Sequence, residues 1–406
     1  MRAPRVLLAG VAGLTLLLSA CTTDAPEGTD GAEGSADGGN GAELTPDDQW
    51  FDQEEFETQL AQRDIEPEGP EDEPWMQAID PDWVDTTEFA IDDPEDAHLC
   101  FSNASVSNPW RVTGFITMEQ QVEALVDEGR IGSFDSSDAA DDDNQQISDI
   151  QAFVDSGDCD AIIISPSTTA TLTPAVETAC ASGVPVIVFD RGVESDCMVT
   201  FIHPIGGYAY GADAADFLVE NLDPGSTVLA LRILPGVDVL EHRWAAAQQI
   251  FADSELEVLG FEFTEGDGAQ IKDLVSQHLQ RGEVDGIWMD AGDGAVAGLE
   301  AFEDAGQPYP VIAGEDELSF MRKWESEELT AIAPVYSNFQ WRTPVIAAGM
   351  ILAGEEVPAE WILPQTPIRD DELDDYLDRN SDMPSLHYAK FGGEDLPGFP
   401  EAWVDR

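Results

Sequence analysis

Lysine is almost absent from this chain. Three occur in 406 residues (Lys272, Lys323, Lys390), and lysine plus arginine total 17 against 83 acids, a formal net charge of -66. A surface so poor in cations cannot neutralise a phosphate backbone, which excludes nucleic acid as a partner. Nor does it offer a basic patch for anionic headgroups. Catalytic signatures are missing too. The five histidines (His98, His203, His242, His278, His387) form no H-E-x-x-H pair, and there is neither a G-x-S-x-G elbow nor a phosphate-binding loop. The acidic stretch 138–144 lacks the glycine and terminal glutamate of a calcium loop, so no metal and no cofactor is implied. After position 21 no apolar run is long enough to span a bilayer.

The excess of acid has its own meaning. Self-repulsion at this charge costs stability in dilute buffer and is screened by salt, which points to a saline habitat. The hydrophobic share of 43% is enough for a real core, and the length allows two domains of ordinary size. The first residues read as a targeting segment: Arg2 and Arg5, then an apolar stretch from Val6 to Leu18, then Leu18-Ser19-Ala20-Cys21. The last four resemble the bacterial lipobox, which implies a signal peptide over 1–20 and lipidation at Cys21, with acyl chains holding a soluble body to the membrane. Residues 21–48 are nearly devoid of large apolar side chains and read as a disordered acidic tether. Residues 49–95 carry Trp50, Phe51, Phe56, Trp75, Trp83 and Phe89 among acids and prolines, and read as an extension wrapped on the main body by aromatic anchors.

Four cysteines remain: Cys100, Cys159, Cys180 and Cys197. An even count in an exported chain favours disulfides, and three connectivities are possible. Cys180 and Cys197 each precede one of two neighbouring strands, which favours that bridge. Cys100, inside an apolar strand, is either bridged or a buried free thiol.

From His98 onward short β-branched runs alternate with segments of helical periodicity. Strands are expected at Leu99-Cys100-Phe101, Ile131 to Phe134, Ala161 to Ile164, Val184 to Phe189 and Thr200-Phe201-Ile202. Others follow at Val228 to Leu231, Glu257 to Phe263, Gly286 to Met289 and Val311 to Ala313. This rhythm gives parallel sheets covered by helices, and too many strands for one lobe. The expected class is α/β with two Rossmann-like lobes. Lobe 1 takes 96–205 plus 334–360; lobe 2 takes 206–333 plus 361–406, including the C-terminal tail. Asp190 and Arg191 end the run Val184-Pro185-Val186-Ile187-Val188-Phe189, at the carboxyl edge where open α/β sheets hold ligands. A carboxylate that accepts hydroxyl protons, beside a guanidinium that donates to oxygens, suits a sugar or polyol. An ordinary salt-bridged loop is the competing reading.

Three segments in order carry a resemblance: Phe101-Ser102-Asn103-Ala104-Ser105-Val106-Ser107-Asn108-Pro109-Trp110-Arg111, then Ile164-Ser165-Pro166, then Pro185 to Gly192. They resemble the sugar-binding proteins of bacterial ABC importers, of the ribose type, over about residues 97–365. The resemblance implies a type I periplasmic-binding fold with three hinge crossings and closure on a small ligand. Its first-lobe contacts fall on Asn108, Trp110, Arg111, Ser165, Asp190 and Arg191. Trp110 is placed to stack on a pyranose face, or else is a core aromatic. In the second lobe the pattern changes. Glu241 stands where ribose-type members tend to have an arginine two positions before the helix arginine, here Arg243. Asp290 heads Asp290-Ala291-Gly292-Asp293, where asparagine is frequent. Asp316 matches the family aspartate, and Pro334 replaces a glutamine, with Tyr336 close by. A pocket so rich in acid suits either a heavily hydroxylated sugar or a cationic one such as an amino sugar.

The leading reading is therefore a monomeric, lipid-anchored receptor at the bacterial cell surface or in the periplasm. It captures a monosaccharide or related polyol and presents it to an ABC permease. A sensory receptor for a membrane kinase would use the same fold. A surface glycosidase with paired carboxylates is the enzymatic alternative, and in so acidic a chain a close acid pair is a cheap signal.

Overall fold

The computed structural model describes residues 44–404, apart from positions 48 and 293. The signal segment 1–20, Cys21 and most of the tether lie outside the described residues. Where the tether's end is described it is packed rather than free: Leu44 sits against the second-lobe core, and the Thr45 carbonyl accepts from the Gln248 side chain at 3.4 Å. Packing thus begins before the expected boundary at 49, because Leu44 is an apolar side chain that finds a core to enter.

Two all-parallel sheets organise the chain. The first has six strands, in spatial order Glu360–Leu363, Thr200–Pro204, Val186–Phe189, Ala161–Ser165, His98–Asn103 and Ser133–Asp138. Its two middle strands, AIIIS and VIVF, are buried at every position. Unbroken β-branched runs are what a sheet covered on both faces requires. The edge strand SFDSSD is polar and largely exposed, and it starts at Ser133, not Ile131; the backbone N–H groups of Gly132 and Ser133 both reach the Ala97 carbonyl. The second sheet has five strands, in order Ala331–Ile332, Val311–Ala313, Gly286–Met289, Thr227–Arg232 and Glu257–Phe263. Helices cover both faces of each sheet, giving one buried cluster per face.

One expected boundary is corrected. Residues 361–363 belong to lobe 1, because Glu360–Leu363 pairs in parallel with Thr200–Pro204 at the edge of the first sheet. Trp361, Ile362 and Leu363 are apolar and buried, so they complete that sheet before the chain leaves it. The lobes are joined by three crossings, at 205–206, 333–337 and 364–369. Antiparallel bridging of Ala333 to Ile368, and the Gln365 carboxamide bonded both ways to the Gly206 backbone, bundle these crossings together.

Cys100 is bridged to Cys159 and Cys180 to Cys197. The second pairing follows from adjacent strands. For the first, Cys100 is not a free thiol: the strand His98–Asn103 lies beside Ala161–Ser165, bringing Cys159 to its flank.

Candidate functional site

The charged residues at the carboxyl ends of the two sheets meet around Tyr336, in the second crossing. On the first-lobe side the helix Pro109–Asp127 is started by Asn108, whose side-chain oxygen accepts the Arg111 N–H at 2.9 Å, with proline in the first turn. This is an ordinary N-cap, so much of the Asn108 side chain serves the helix. The cap orients Arg111, which donates from Nη2 to the Asp190 carboxylate at 3.0 Å. Both side chains are about 95% buried (5% exposed each). A pair so far from water persists only when its remaining atoms are satisfied.

Asp190 follows Val186–Phe189 with φ at 70°, a left-handed conformation that is unusual for any residue but glycine, asparagine or aspartate. Two bonds hold the turn: its N–H reaches the Ile202 carbonyl at 3.0 Å, and its own carbonyl accepts the Tyr336 hydroxyl at 3.1 Å. Burial, then the negative charge of Asp190, pushes the Tyr336 phenol up, so it remains a hydrogen donor. Trp110 donates its indole N–H to the Tyr336 carbonyl at 3.0 Å, with its ring 5.9 Å from Tyr336 and 5.8 Å from Trp341. It is half-buried, locked in an aromatic cluster with part of its surface exposed. Arg191 is also half-buried and donates to the Ser167 carbonyl; desolvation, then the nearby Arg111, pushes its guanidinium down. The Ser165 hydroxyl is fully buried at the end of its strand and has no hydrogen-bond partner among the described residues.

The second lobe answers with two arginines. Arg232 ends the strand Thr227–Arg232, and its Nη2 bonds Glu241 at 2.6 Å; its Nε lies 3.7 Å from Asp290. Rings of Phe263, Phe261 and Trp244 lie 4.8, 5.3 and 5.9 Å from the same guanidinium. Glu241 also accepts the Gly236 N–H at 2.6 Å. Asp290 is wholly buried. One of its oxygens accepts the Ile233 N–H at 2.9 Å, and the other, the one nearest Arg232 Nε, has no hydrogen-bond partner among the described residues. Burial pushes the Asp290 carboxyl up to about 7, against the pull of Arg232. Arg243 donates to the Asp290 carbonyl, with its guanidinium 3.8 Å from the Tyr210 ring and 5.1 Å from Tyr336. Gly211 makes this possible: a Cβ there would lie 2.0 Å from the Arg243 carbonyl, so only glycine lets the two helices approach so closely.

The structure thus brings Asn108, Trp110, Arg111, Asp190, Arg191 and Tyr336 together, with Ser165 ending the adjacent strand. Glu241 and Asp290 are present but engaged, and the acid excess expected of this pocket is balanced by Arg232 and Arg243. Asp316 is engaged elsewhere: its carboxylate accepts the Lys390 N–H at 2.7 Å and its carbonyl accepts the Ala389 N–H at 2.9 Å, both from the C-terminal segment. Arg232 is missed by reasoning from sequence, although it stands at the end of a buried strand just as Asp190 does. Cavities of about 1160 and 610 Å³ lie along the crossings beneath the 49–95 extension, and neither is lined by Asp190 or Arg243.

Two parallel sheets, three bundled crossings and facing charged strand ends form a recognisable frame. A family model described as periplasmic binding protein domain matches residues 99–341. The chain belongs to that family. Within it, the ribose import binding protein RbsB of Bacillus subtilis is 26% identical over 221 residues, covering 54% of this chain and 72% of that protein. Among solved structures of the same fold, an ABC transporter solute binding protein from Thermobispora bispora is 22% identical, with a TM-score of 0.64 over 72% of this chain and 90% of its own. Another from Bacillus halodurans, solved with bound myo-inositol, is 19% identical, with a TM-score of 0.62 over 70% of this chain and 99% of its own. The family fold is type I, so the two lobes and their crossings are those of a periplasmic binding protein. The match leaves out the 49–95 extension and everything after residue 341, including the lobe 1 helix Thr343–Leu352, the edge strand Glu360–Leu363 and the C-terminal tail.

Proposed function

We propose that this protein is a lipid-anchored extracytoplasmic receptor that captures a neutral monosaccharide or related polyol between its lobes and delivers it to an ABC permease. One observation carries the reading. Buried polar atoms with no hydrogen-bond partner among the described residues lie on both sides of Tyr336: Arg111 Nη1 and Ser165 Oγ from the first lobe, Arg243 Nε and Asp290 Oδ2 from the second. Leaving such atoms unmade is costly, about 1–3 kcal/mol each. A ring bearing several hydroxyls satisfies them at once, because each hydroxyl donates one hydrogen and accepts on two lone pairs. The arginines donate to the hydroxyl lone pairs, and Asp290 accepts a hydroxyl hydrogen. Contacts to both lobes favour the closed state over the open one, which is how ligand binding becomes a signal to a permease.

The balance of charge selects the ligand class. Arg111, Arg191, Arg232 and Arg243 face Asp190, Glu241 and Asp290, so among these described residues the cations outnumber the acids, which disfavours an ammonium group. A neutral sugar is the better match than the amino sugar that the acids alone suggest. The names of the relatives, a ribose importer component and a myo-inositol complex, agree with this class.

Thermal-shift screening of the mature protein in molar salt, with D-ribose, myo-inositol, L-arabinose and D-glucosamine, tests the reading. A rise in unfolding temperature with a neutral compound, absent in folded Asp190→Ala, is the expected result. A response to D-glucosamine alone, or one unaffected by Asp190→Ala, would overturn it.

A further inference from the structure

The 49–95 extension and the C-terminal segment both run across the hinge. The extension first docks on lobe 2, where Arg63 bonds Asp213 at 2.8 Å and the Tyr208 hydroxyl donates to the Trp50 carbonyl at 2.9 Å. It then passes to lobe 1. There the Ile79 N–H donates to the Ile362 carbonyl at 2.9 Å, and Trp83 and Val84 pair antiparallel with Pro358 and Val357.

The C-terminal segment makes a second, shorter link. Its Lys390 N–H holds Asp316 of lobe 2, and its Gly392 carbonyl and Asp395 carboxylate take the guanidinium of Arg342, which opens the lobe 1 helix Thr343–Leu352. Arg342 is buried, bonds Gln121 of the helix Pro109–Asp127 at 2.8 Å, and lies 3.5 Å over the Trp75 ring of the extension. Extension, tail and lobe 1 therefore converge on a single guanidinium. Gly392 has φ at 63°, and a Cβ there would lie 2.8 Å from the Trp75 ring, so the junction demands glycine. The anchors to lobe 2 and lobe 1 are separated only by Lys390, Phe391 and Gly392. Three residues reach at most about 10 Å when fully extended. Opening this edge beyond that reach breaks the Asp316 link or the Arg342 link.

We propose that the chain's two ends brace the hinge, holding the lobes near the observed arrangement without any ligand. Three covalent crossings are supplemented by two non-covalent straps, and Phe391, Leu396 and Trp403 of the tail share one buried cluster with Ile116 of lobe 1 and Leu318 of lobe 2. A receptor so braced keeps its binding-competent arrangement populated, and its ligand loses less affinity to closure.

Small-angle scattering of the full mature protein in molar salt, with no ligand present, tests the brace. The outcome is separate from any sugar reading. The wild-type profile is expected to fit the observed arrangement. The double variant Arg342→Gln/Asp395→Asn, and independently Gly392→Ala, are expected to give a larger radius of gyration and maximum dimension while circular dichroism stays native. A wild-type profile that requires a more open arrangement overturns the proposal, as does a wild-type profile from either folded variant. If neither variant folds, the wild-type profile alone decides.

Discussion

Tyr336 donates its hydroxyl to the backbone carbonyl of Asp190 at 3.1 Å, joining a hinge crossing to the turn that aims the first-lobe carboxylate. The same ring lies 5.1 Å from the guanidinium of Arg243 in the second lobe. Movement of the hinge and placement of the site are thereby one event.

Tyr336→Phe deletes that bond and leaves the Asp190 carbonyl without its donor. Loss of about 1 kcal/mol of stability is expected. The left-handed turn at Asp190 loses one of its two restraints, so sugar affinity should fall several-fold. Calorimetry and thermal unfolding on the same preparation read both effects.

Asp190→Asn keeps a residue tolerant of the left-handed turn but removes the charge opposite Arg111. Breaking one side of a buried pair costs about 3–5 kcal/mol. Sugar binding should disappear from the calorimeter, and the unfolding temperature should drop clearly. An unchanged unfolding temperature would show the pair to be hydrated in solution.

Arg232→Met strands Glu241 and the buried Asp290 without their shared cation. A similar loss of about 3–5 kcal/mol is expected at pH 8. The deficit should shrink at pH 5.5, where the buried Asp290, already raised by burial, takes up a proton. A deficit independent of pH would contradict the charge argument.

Stability should rise as pH falls from 8 to 6. Burial raises Asp290 to about 7, and Asp213 and Asp316 to about 6, above the ordinary carboxyl value of 3.8. Over this interval the folded state therefore binds more protons at these groups than the unfolded chain does, which contributes about 2 kcal/mol. His387 works the other way. Burial lowers it to about 3, so the unfolded chain gains its proton first and roughly 0.8 kcal/mol is returned. His242, also lowered by burial, returns a further part, so the net gain is at most about 1 kcal/mol, seen as a higher unfolding temperature at pH 6 at fixed salt. A lower unfolding temperature at pH 6 than at pH 8 would contradict these assignments.

Salt should stabilise the protein strongly. With a net charge of -66, screening relieves repulsion that the folded state concentrates. The unfolding midpoint should climb between 0.1 and 2 M sodium chloride, and a flat profile would remove the saline reading.

Much of this molecule is legible in its sequence because buried parallel strands leave a blunt signal. The sequence places the run AIIIS to within a residue and VIVF to within two, and the charged pair at 190–191 is fixed by the end of its strand. The polar edge strand Ser133–Asp138 was placed too early, because an edge strand needs little apolar surface and Ile131 was the more conspicuous residue. Arg232 escaped for another reason. Its role depends on Glu241, nine residues on, and on Asp290 from the neighbouring strand, and that proximity exists only after folding. Likewise nothing local tells that Asp316 is met by the backbone of Lys390, so its assignment to the cleft rested on resemblance alone. The extension showed its aromatic anchors but not which lobe each would enter.

The central claim, a hydroxylated neutral ligand held by both lobes across Tyr336, is tested most directly by calorimetric titration of D-ribose and myo-inositol in molar salt. The proteins are wild type, Asp190→Asn in the first lobe and Arg243→Met in the second. Micromolar or tighter binding of at least one compound by wild type, about -8 kcal/mol or better, lost in both variants while they remain folded, is the expected result. Binding that survives either substitution at unchanged affinity would contradict the account.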